Sequence, residues 1–318
     1  MGLFTLGSLR PPVTATAQQD PLPSWNDGPA KRAIMAFVAQ VTTPGAGFVP
    51  VEQRVATVDN DGTLWQEQPT AELVFALTRL RTLARQDSTW RTRQPVKAAL
   101  EGDHEWLHHA GEQAVLELLG VTHGNISQEQ FEADARAFLD TARHPKLGRS
   151  YVELTYGPMH ELLALLKEND FQVWISSGGT LEFMRVFAPR VYRIPPSRVI
   201  GSVLKREARV RDGRMTLWRT RTVESVNDKE GKVVNIDRII GQRPILVAGN
   251  VGSAGDVAMM HYSRGRAGPS LQLLVVHDDA QREFTYQERD TASIRAARAF
   301  GFTLVSMARD WKVVFGAP

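Results

Sequence analysis

Apolar residues in this chain fall into short continuous runs separated by longer amphipathic stretches. After Asn26-Asp27-Gly28-Pro29, the spacing of Ile34, Phe37, Val38 and Val41 predicts a helix, with Pro29 where a helix start tolerates it. Arg54 to Val58 reads as a short buried strand. From Trp65 to Arg149 no good strand is found. Leu73, Phe75, Leu77 and Leu80 fit a helix, and so do Val115, Leu116, Leu118 and Leu119. Ser127-Gln128-Glu129-Gln130 reads as a capping box that opens a helix carrying Phe131, Ala135 and Phe138 on one side.

Helix and strand then alternate. Helices are expected over 160–169, 181–187, 232–240, 256–262 and 291–300. Strands are expected over 171–176, 244–248, 271–276 and 302–306. A hairpin joins 199–204 to 215–219 through Asp212-Gly213. Near-continuous apolar strands between helices predict a parallel sheet covered on both faces, with ligands at the carboxyl ends of its strands. The expected organisation is an α/β protein. A Rossmann-like core takes 26–64 and 150–318, a helical cap is inserted over 65–149, and 1–25 form a flexible tail.

The chain has 318 residues, 42% hydrophobic and 23% charged, as in an ordinary soluble globular protein. Net charge is +3 and the arginines are dispersed, which argues against a nucleic-acid surface. The densest basic stretch, Lys205 to Arg214, fits the solvated hairpin. No apolar run is long enough to span a membrane. The absence of cysteine excludes disulfides, thiolate metal sites and cysteine nucleophiles. Ala15-Thr16-Ala17 resembles a small-residue cleavage site, so cytoplasmic and exported locations both stay open. Oligomeric state is not set by the sequence.

Candidate chemistry sits at the predicted strand ends. Asp59-Asn60-Asp61-Gly62-Thr63-Leu64 follows the first strand. Two carboxylates two residues apart suit phosphoryl transfer, one as nucleophile and the other as general acid and base. Gly62 permits the sharp turn, and Thr63 offers a hydroxyl to a phosphate oxygen. Trp174 to Thr180 ends a second strand in Ser177-Gly178-Gly179. There the glycines are expected to open a helix, whose free N–H groups join the Ser177 hydroxyl on phosphate. Lys232, with Lys229 as the competing choice, offers an ammonium against nucleophile and phosphate charge. Gly249-Asn250 to Gly255-Asp256 ends a third strand. Asp59, the Asp61 carbonyl and Asn250 or Asp256 supply oxygen ligands of the kind Mg²⁺ takes.

Taken in this order, the motifs resemble those of the haloacid dehalogenase (HAD) superfamily from Arg54 onward. Glu182-Phe183-Met184, His277-Asp278-Asp279 and Arg282-Glu283-Phe284 narrow the resemblance to a bacterial phosphoserine-phosphatase-like group. The resemblance implies Mg²⁺-dependent hydrolysis of a small phosphorylated metabolite. In it Asp59 forms an aspartyl-phosphate, Asp61 is the acid and base, Ser177 binds the phosphoryl group and Lys232 holds it. Asp61 favours a phosphatase over a dehalogenase, because an ester oxygen needs a proton to leave and a halide does not. One feature departs from the family. Its fourth motif places two acidic positions four residues apart, whereas here Asn250 takes the first place and Asp256 falls six residues later. Two alternatives stay open: a weakly active protein that binds a phosphorylated ligand, and a phosphotransferase using the same intermediate. His277-Asp278-Asp279 is expected on the active-site rim or as loop caps. His104 and His108 share an i, i+4 spacing but lack a third metal ligand.

Overall fold

The computed structural model describes residues 20–252 and 254–316. The first elements are α1 (Pro29–Thr42), β1 (Val55–Val58), α2 (Ala71–Gln86), α3 (Val96–Glu101), α4 (His104–His123), β2 (Ile126–Ser127) and α5 (Gln128–Thr141). Next come α6 (Gly157–Glu168), β3 (Gln172–Thr180), α7 (Leu181–Tyr192), β4 (Val199–Arg211), β5 (Arg214–Ser225) and α8 (Glu230–Ile240). The chain closes with β6 (Leu246–Asn250), α9 (Gly255–Arg264), β7 (Leu271–Val276), α10 (Ala292–Phe300), β8 (Thr303–Ser306) and α11 (Met307–Asp310).

All four residues of β1 are buried, since β1 is an inner strand with β3 and β6 parallel on its two sides. A strand covered on both faces needs apolar side chains in every position. The eight strands form one sheet in the order β2-β5-β4-β3-β1-β6-β7-β8. Its parallel part runs from β4 to β8. The carboxyl ends of β1, β3 and β6 therefore lie side by side, and the three motif loops leave from them.

The β4–β5 hairpin is longer than its apolar pattern predicts. Its outer halves pair with each other and are mostly exposed, so no core-facing run marks them. Asp212 and Gly213 turn it with φ of 50° and 72°, the left-handed pair that a tight hairpin requires.

Helices α2 to α5 lie in the chain between β1 and β3. Two-residue β2 pairs with β5 inside the stretch expected to lack strands. Phe75 packs against Phe131, Phe138 and Phe183 at 5.3–5.8 Å between ring centres, joining α2 to α5 and α7. Arg219 of β5 and Glu182 of α7 form an ion pair of 2.7 Å with both side chains at most 1% exposed. Arg219 also donates to the His123 carbonyl and lies over the Phe131 ring, so one guanidinium ties α4, α5, α7 and β5 together. At α5 only half of the expected capping box forms. Ser127 accepts from the Gln130 N–H, but the Gln130 amide turns to Asp134 instead of reaching back.

Residues 20–25, placed in the expected tail, are packed. Leu22 and Trp25 are fully buried, and the Trp25 indole N–H donates to the Pro158 carbonyl at 2.9 Å. Trp25 meets Trp311 edge to face and, with Leu22, anchors this segment in the core. Ala15-Thr16-Ala17 lies outside the described residues. Among those described, no helix is long and apolar enough to cross a membrane.

Candidate active site

Asp59 extends the β1–β6 ladder by one residue, its N–H donating to the Ala248 carbonyl at 2.9 Å. The chain then turns sharply. The Asn60 carbonyl accepts from the N–H groups of Thr63 and Leu64, and Gly62 sits at φ +71°. A Cβ on Gly62 would lie 1.9 Å from Asn250 Nδ2, so both the angle and the space require glycine. The turn is held from outside at two points. Tyr192 Oη donates to Asn60 Oδ1 at 3.1 Å, and His277 Nε2 donates to the Gly62 carbonyl at 2.7 Å.

Lys232, the third residue of α8, points its ammonium between two carboxylates. Nζ lies 2.7 Å from Asp59 Oδ1 and 2.5 Å from Asp256 Oδ1. Lys229 is the exposed residue preceding α8, so the competing choice lies outside this cluster. Asp256 Oδ2 accepts from the Asn250 N–H at 3.0 Å. The lengthened loop therefore returns Asp256 to the end of β6. Asn250 directs its side-chain amide to Glu67, with Nδ2 to Oε1 at 3.0 Å.

The Ser177 region differs from expectation. Strand β3 continues through both glycines to Thr180, and α7 begins only at Leu181. The Thr180 N–H is not free: Glu72 of α2 accepts it at 2.9 Å and accepts the Thr180 hydroxyl as well. Glycine read as a turn signal here belongs to a strand end where another side chain approaches closely. A Cβ on Gly179 would lie 2.7 Å from Glu72 Oε2, 3.6 Å from Ser177 Oγ and 3.8 Å from Asp61 Oδ2. Three polar groups thus converge over one bare backbone position. Asn227 donates to the Ser177 carbonyl and Ser202 to the Gly178 carbonyl, which fixes this backbone from below. Ser177 is buried and Gly178 exposed, so the cluster meets solvent at Gly178. Thr63 is fully buried, and its hydroxyl makes no hydrogen bond to Asp59, Asp61 or Ser177.

Burial dominates the electrostatics. It pushes the Asp59 carboxyl well above its ordinary range. Asp256 adds to that shift, while Lys232 opposes it. Burial raises Asp61 to about 7 against the indole N–H of Trp65, which donates to Oδ1 at 2.7 Å; Glu67 and Glu72 raise it further. Burial pulls Lys232 down, but Asp256 and Asp59 outweigh it, so the ammonium is held charged. Burial also raises Glu67. Burial works to raise Glu72 too, but the bonds from His123 and Thr180 carry it below the ordinary value.

Among the described residues, Asp59, Asp61 and Asp256 face the buried ammonium of Lys232, while His277 acts on Glu67. These clustered hard oxygen donors fit a hard divalent cation, whose charge would favour their ionised forms. Among the described residues no three His, Cys, Asp or Glu side chains are set to hold a metal by themselves. A cation here draws on an amide or backbone oxygen as well. His104 and His108 are exposed.

The structure brings together Asp59, Asp61, Ser177, Gly178, Lys232, Asn250 and Asp256. It adds Glu67, Glu72, His123 and Asn227, which no periodicity or motif marks. The His277-Asp278-Asp279 group divides: His277 holds the Gly62 turn, Asp278 accepts from Ser306 and Ala308 at α11, and Asp279 pairs with Arg282.

No family model matches the sequence, and no curated protein matches it. Among solved structures, a conserved protein of unknown function from Anaerococcus prevotii shares 15% identity. That alignment covers 87% of this chain and 91% of the other, with a TM-score of 0.57. A protein of unknown function from Bordetella pertussis shares 16% identity over 80% and 98%, with a TM-score of 0.50. A phosphoserine phosphohydrolase-like protein from Francisella tularensis shares 15% over 79% and 94%, with a TM-score of 0.45. At such identities the likeness is one of fold. The mostly parallel sheet, with its motif loops leaving adjacent strand ends, is a Rossmann-like α/β core.

Proposed function

We propose that this protein is a Mg²⁺-dependent phosphomonoester hydrolase that works through an aspartyl-phosphate on Asp59. The observation that carries the reading is the buried Asp59–Lys232–Asp256 cluster with Asp61 beside it at a pKa of about 7. Lys232 holds Asp59 Oδ1, which leaves Oδ2 to attack phosphorus. A P–O bond forms at Asp59 as the ester P–O bond breaks, and Asp61 gives its proton to the departing oxygen. Water then attacks phosphorus while Asp61 takes its proton. The bond to Asp59 breaks and inorganic phosphate leaves. A carboxyl near 7 is suited to both directions of that transfer.

Asp59, the Asp61 carbonyl and Asn250 would hold Mg²⁺, which supplies positive charge against the phosphoryl oxygens. Asp256 sits beside the cation and keeps Lys232 in place. Ser177 and the backbone of Gly178 receive the phosphoryl group; Thr63, buried as it is, contributes to the turn. In this reading helices α2 to α5 act as the cap that excludes bulk water, and the substrate is a small phosphorylated metabolite. Hydrolysis of p-nitrophenyl phosphate, with Mg²⁺ and with chelator, tests the reading beside Asp59→Asn. Turnover that needs both Mg²⁺ and Asp59 supports it. Turnover that survives in Asp59→Asn rules it out.

A further inference from the structure

The unexplained feature of this site is a neutral Asn250 where the fourth motif expects a carboxylate. Its side chain does not stand alone. Asn250 Nδ2 donates to Glu67 Oε1 at 3.0 Å, and Glu67 comes from the loop that follows the Asp59–Gly62 turn. The pair is wedged between two glycines. A Cβ on Gly62 would lie 1.9 Å from Asn250 Nδ2 and 2.9 Å from Glu67 Cδ. A Cβ on Gly252 would lie 2.6 Å from Glu67 Oε1 and 3.0 Å from Asn250 Nδ2. Both backbone approaches are built around this one contact.

An amide has two faces: its NH₂ only donates and its oxygen only accepts. An ionised carboxylate accepts only. Glu67 therefore dictates which way the Asn250 amide is turned, and leaves Oδ1 as the end presented away from Glu67. Glu67 also returns to the site the negative charge that Asn250 lacks. Burial raises the Glu67 carboxyl and Asp256 adds to that, while His277, Tyr286 and the Asn250 amide favour its ionised form.

We propose that Glu67 is a positioning residue for the cation: it orients the Asn250 amide so that oxygen faces the metal, and it supplies the missing charge. The pair Glu67–Asn250 thereby replaces a single aspartate. This inference rests on the Mg²⁺ reading above.

The test is Mn²⁺ binding, read by loss of the free-ion electron paramagnetic resonance signal, with no substrate present. Wild type is compared with Glu67→Gln and with the exchange Glu67→Gln/Asn250→Asp. In Glu67→Gln either orientation of the Asn250 amide is satisfied, and the charge is gone. Binding should weaken by about tenfold or more, as for other groups that orient a metal ligand. In the exchange the charge returns on a side chain with two equivalent oxygens, and the introduced glutamine amide donates to it. Binding should recover to within about threefold of wild type. Wild-type affinity in Glu67→Gln would overturn the proposal while leaving the Mg²⁺ reading intact. So would an exchange variant that binds no better than Glu67→Gln. No Mn²⁺ binding in wild type would overturn both. Melting curves in chelator show whether each variant is folded, and the exchange serves as second variant if Glu67→Gln is not.

Discussion

Replacing Asp61 with asparagine should stabilise the metal-free protein while destroying its activity. Burial raises the Asp61 carboxyl from 3.8 to about 7. The folded state therefore keeps this proton over a range where the unfolded chain has released it. Stability conferred by the site then falls as pH rises from about 4 to about 7. Full ionisation corresponds to about 4 kcal/mol of destabilisation at pH 8, and about 2 kcal/mol is already lost at pH 5. Solvent reaches part of Asp61 and screens its charge, which reduces both figures. Asparagine cannot ionise, and its oxygen can still accept the Trp65 indole N–H that now bonds Asp61. The gain from Asp61→Asn should grow by about 1–2 kcal/mol between pH 5 and pH 8. Urea unfolding in chelator at the two pH values measures it. A gain that does not grow with pH, or a loss of stability at pH 8, would refute the reasoning that Asp61 is ionised at a cost.

Further consequences follow from the same charges. Lys232→Met leaves Asp59 and Asp256 buried without their ammonium, so stability should fall by about 3–5 kcal/mol at neutral pH. The loss should shrink at acid pH, where the carboxylates can be neutral, and urea unfolding at both pH values checks this. The ester-cleaving step needs Asp61 protonated, so kcat/KM should decline above about pH 7; a profile flat through pH 8 would count against Asp61 as the acid. Glu72→Ala frees the Thr180 N–H and unhooks α2 from the end of β3. The bound phosphoryl group then loses its fixed backbone, and KM for p-nitrophenyl phosphate should rise more than kcat falls. Steady-state kinetics separates the two.

Much of this architecture is legible in the sequence because β1, β6 and β7 are buried along nearly their whole length and read as largely apolar runs, as does the Val173–Ile175 stretch of β3. Their carboxyl ends carry the polar, glycine-rich loops, so strand order in sequence points to the site. What pattern cannot reach is the partner a side chain meets across the fold. Gly178-Gly179 reads as a helix-opening turn, yet it extends β3 because Glu72 approaches from α2. Glu67 falls in a stretch with no period, eight residues after Asp59, and gains meaning only when β6 brings Asn250 to it. The outer halves of β4 and β5 are exposed and leave no apolar signature. Trp25 reads as part of a tail until Trp311, far along the chain, closes over it.

The most direct test of the account is to trap the covalent state on Asp59. Enzyme turning over p-nitrophenyl phosphate with Mg²⁺ is quenched in borohydride, which reduces an acyl phosphate and spares a free carboxylate. Peptide mass spectrometry then reads each acidic residue. Reduction is expected at Asp59, dependent on substrate and absent at Asp61 and Asp256. Steady turnover with Asp59 left unreduced, or reduction at another carboxylate, would contradict it.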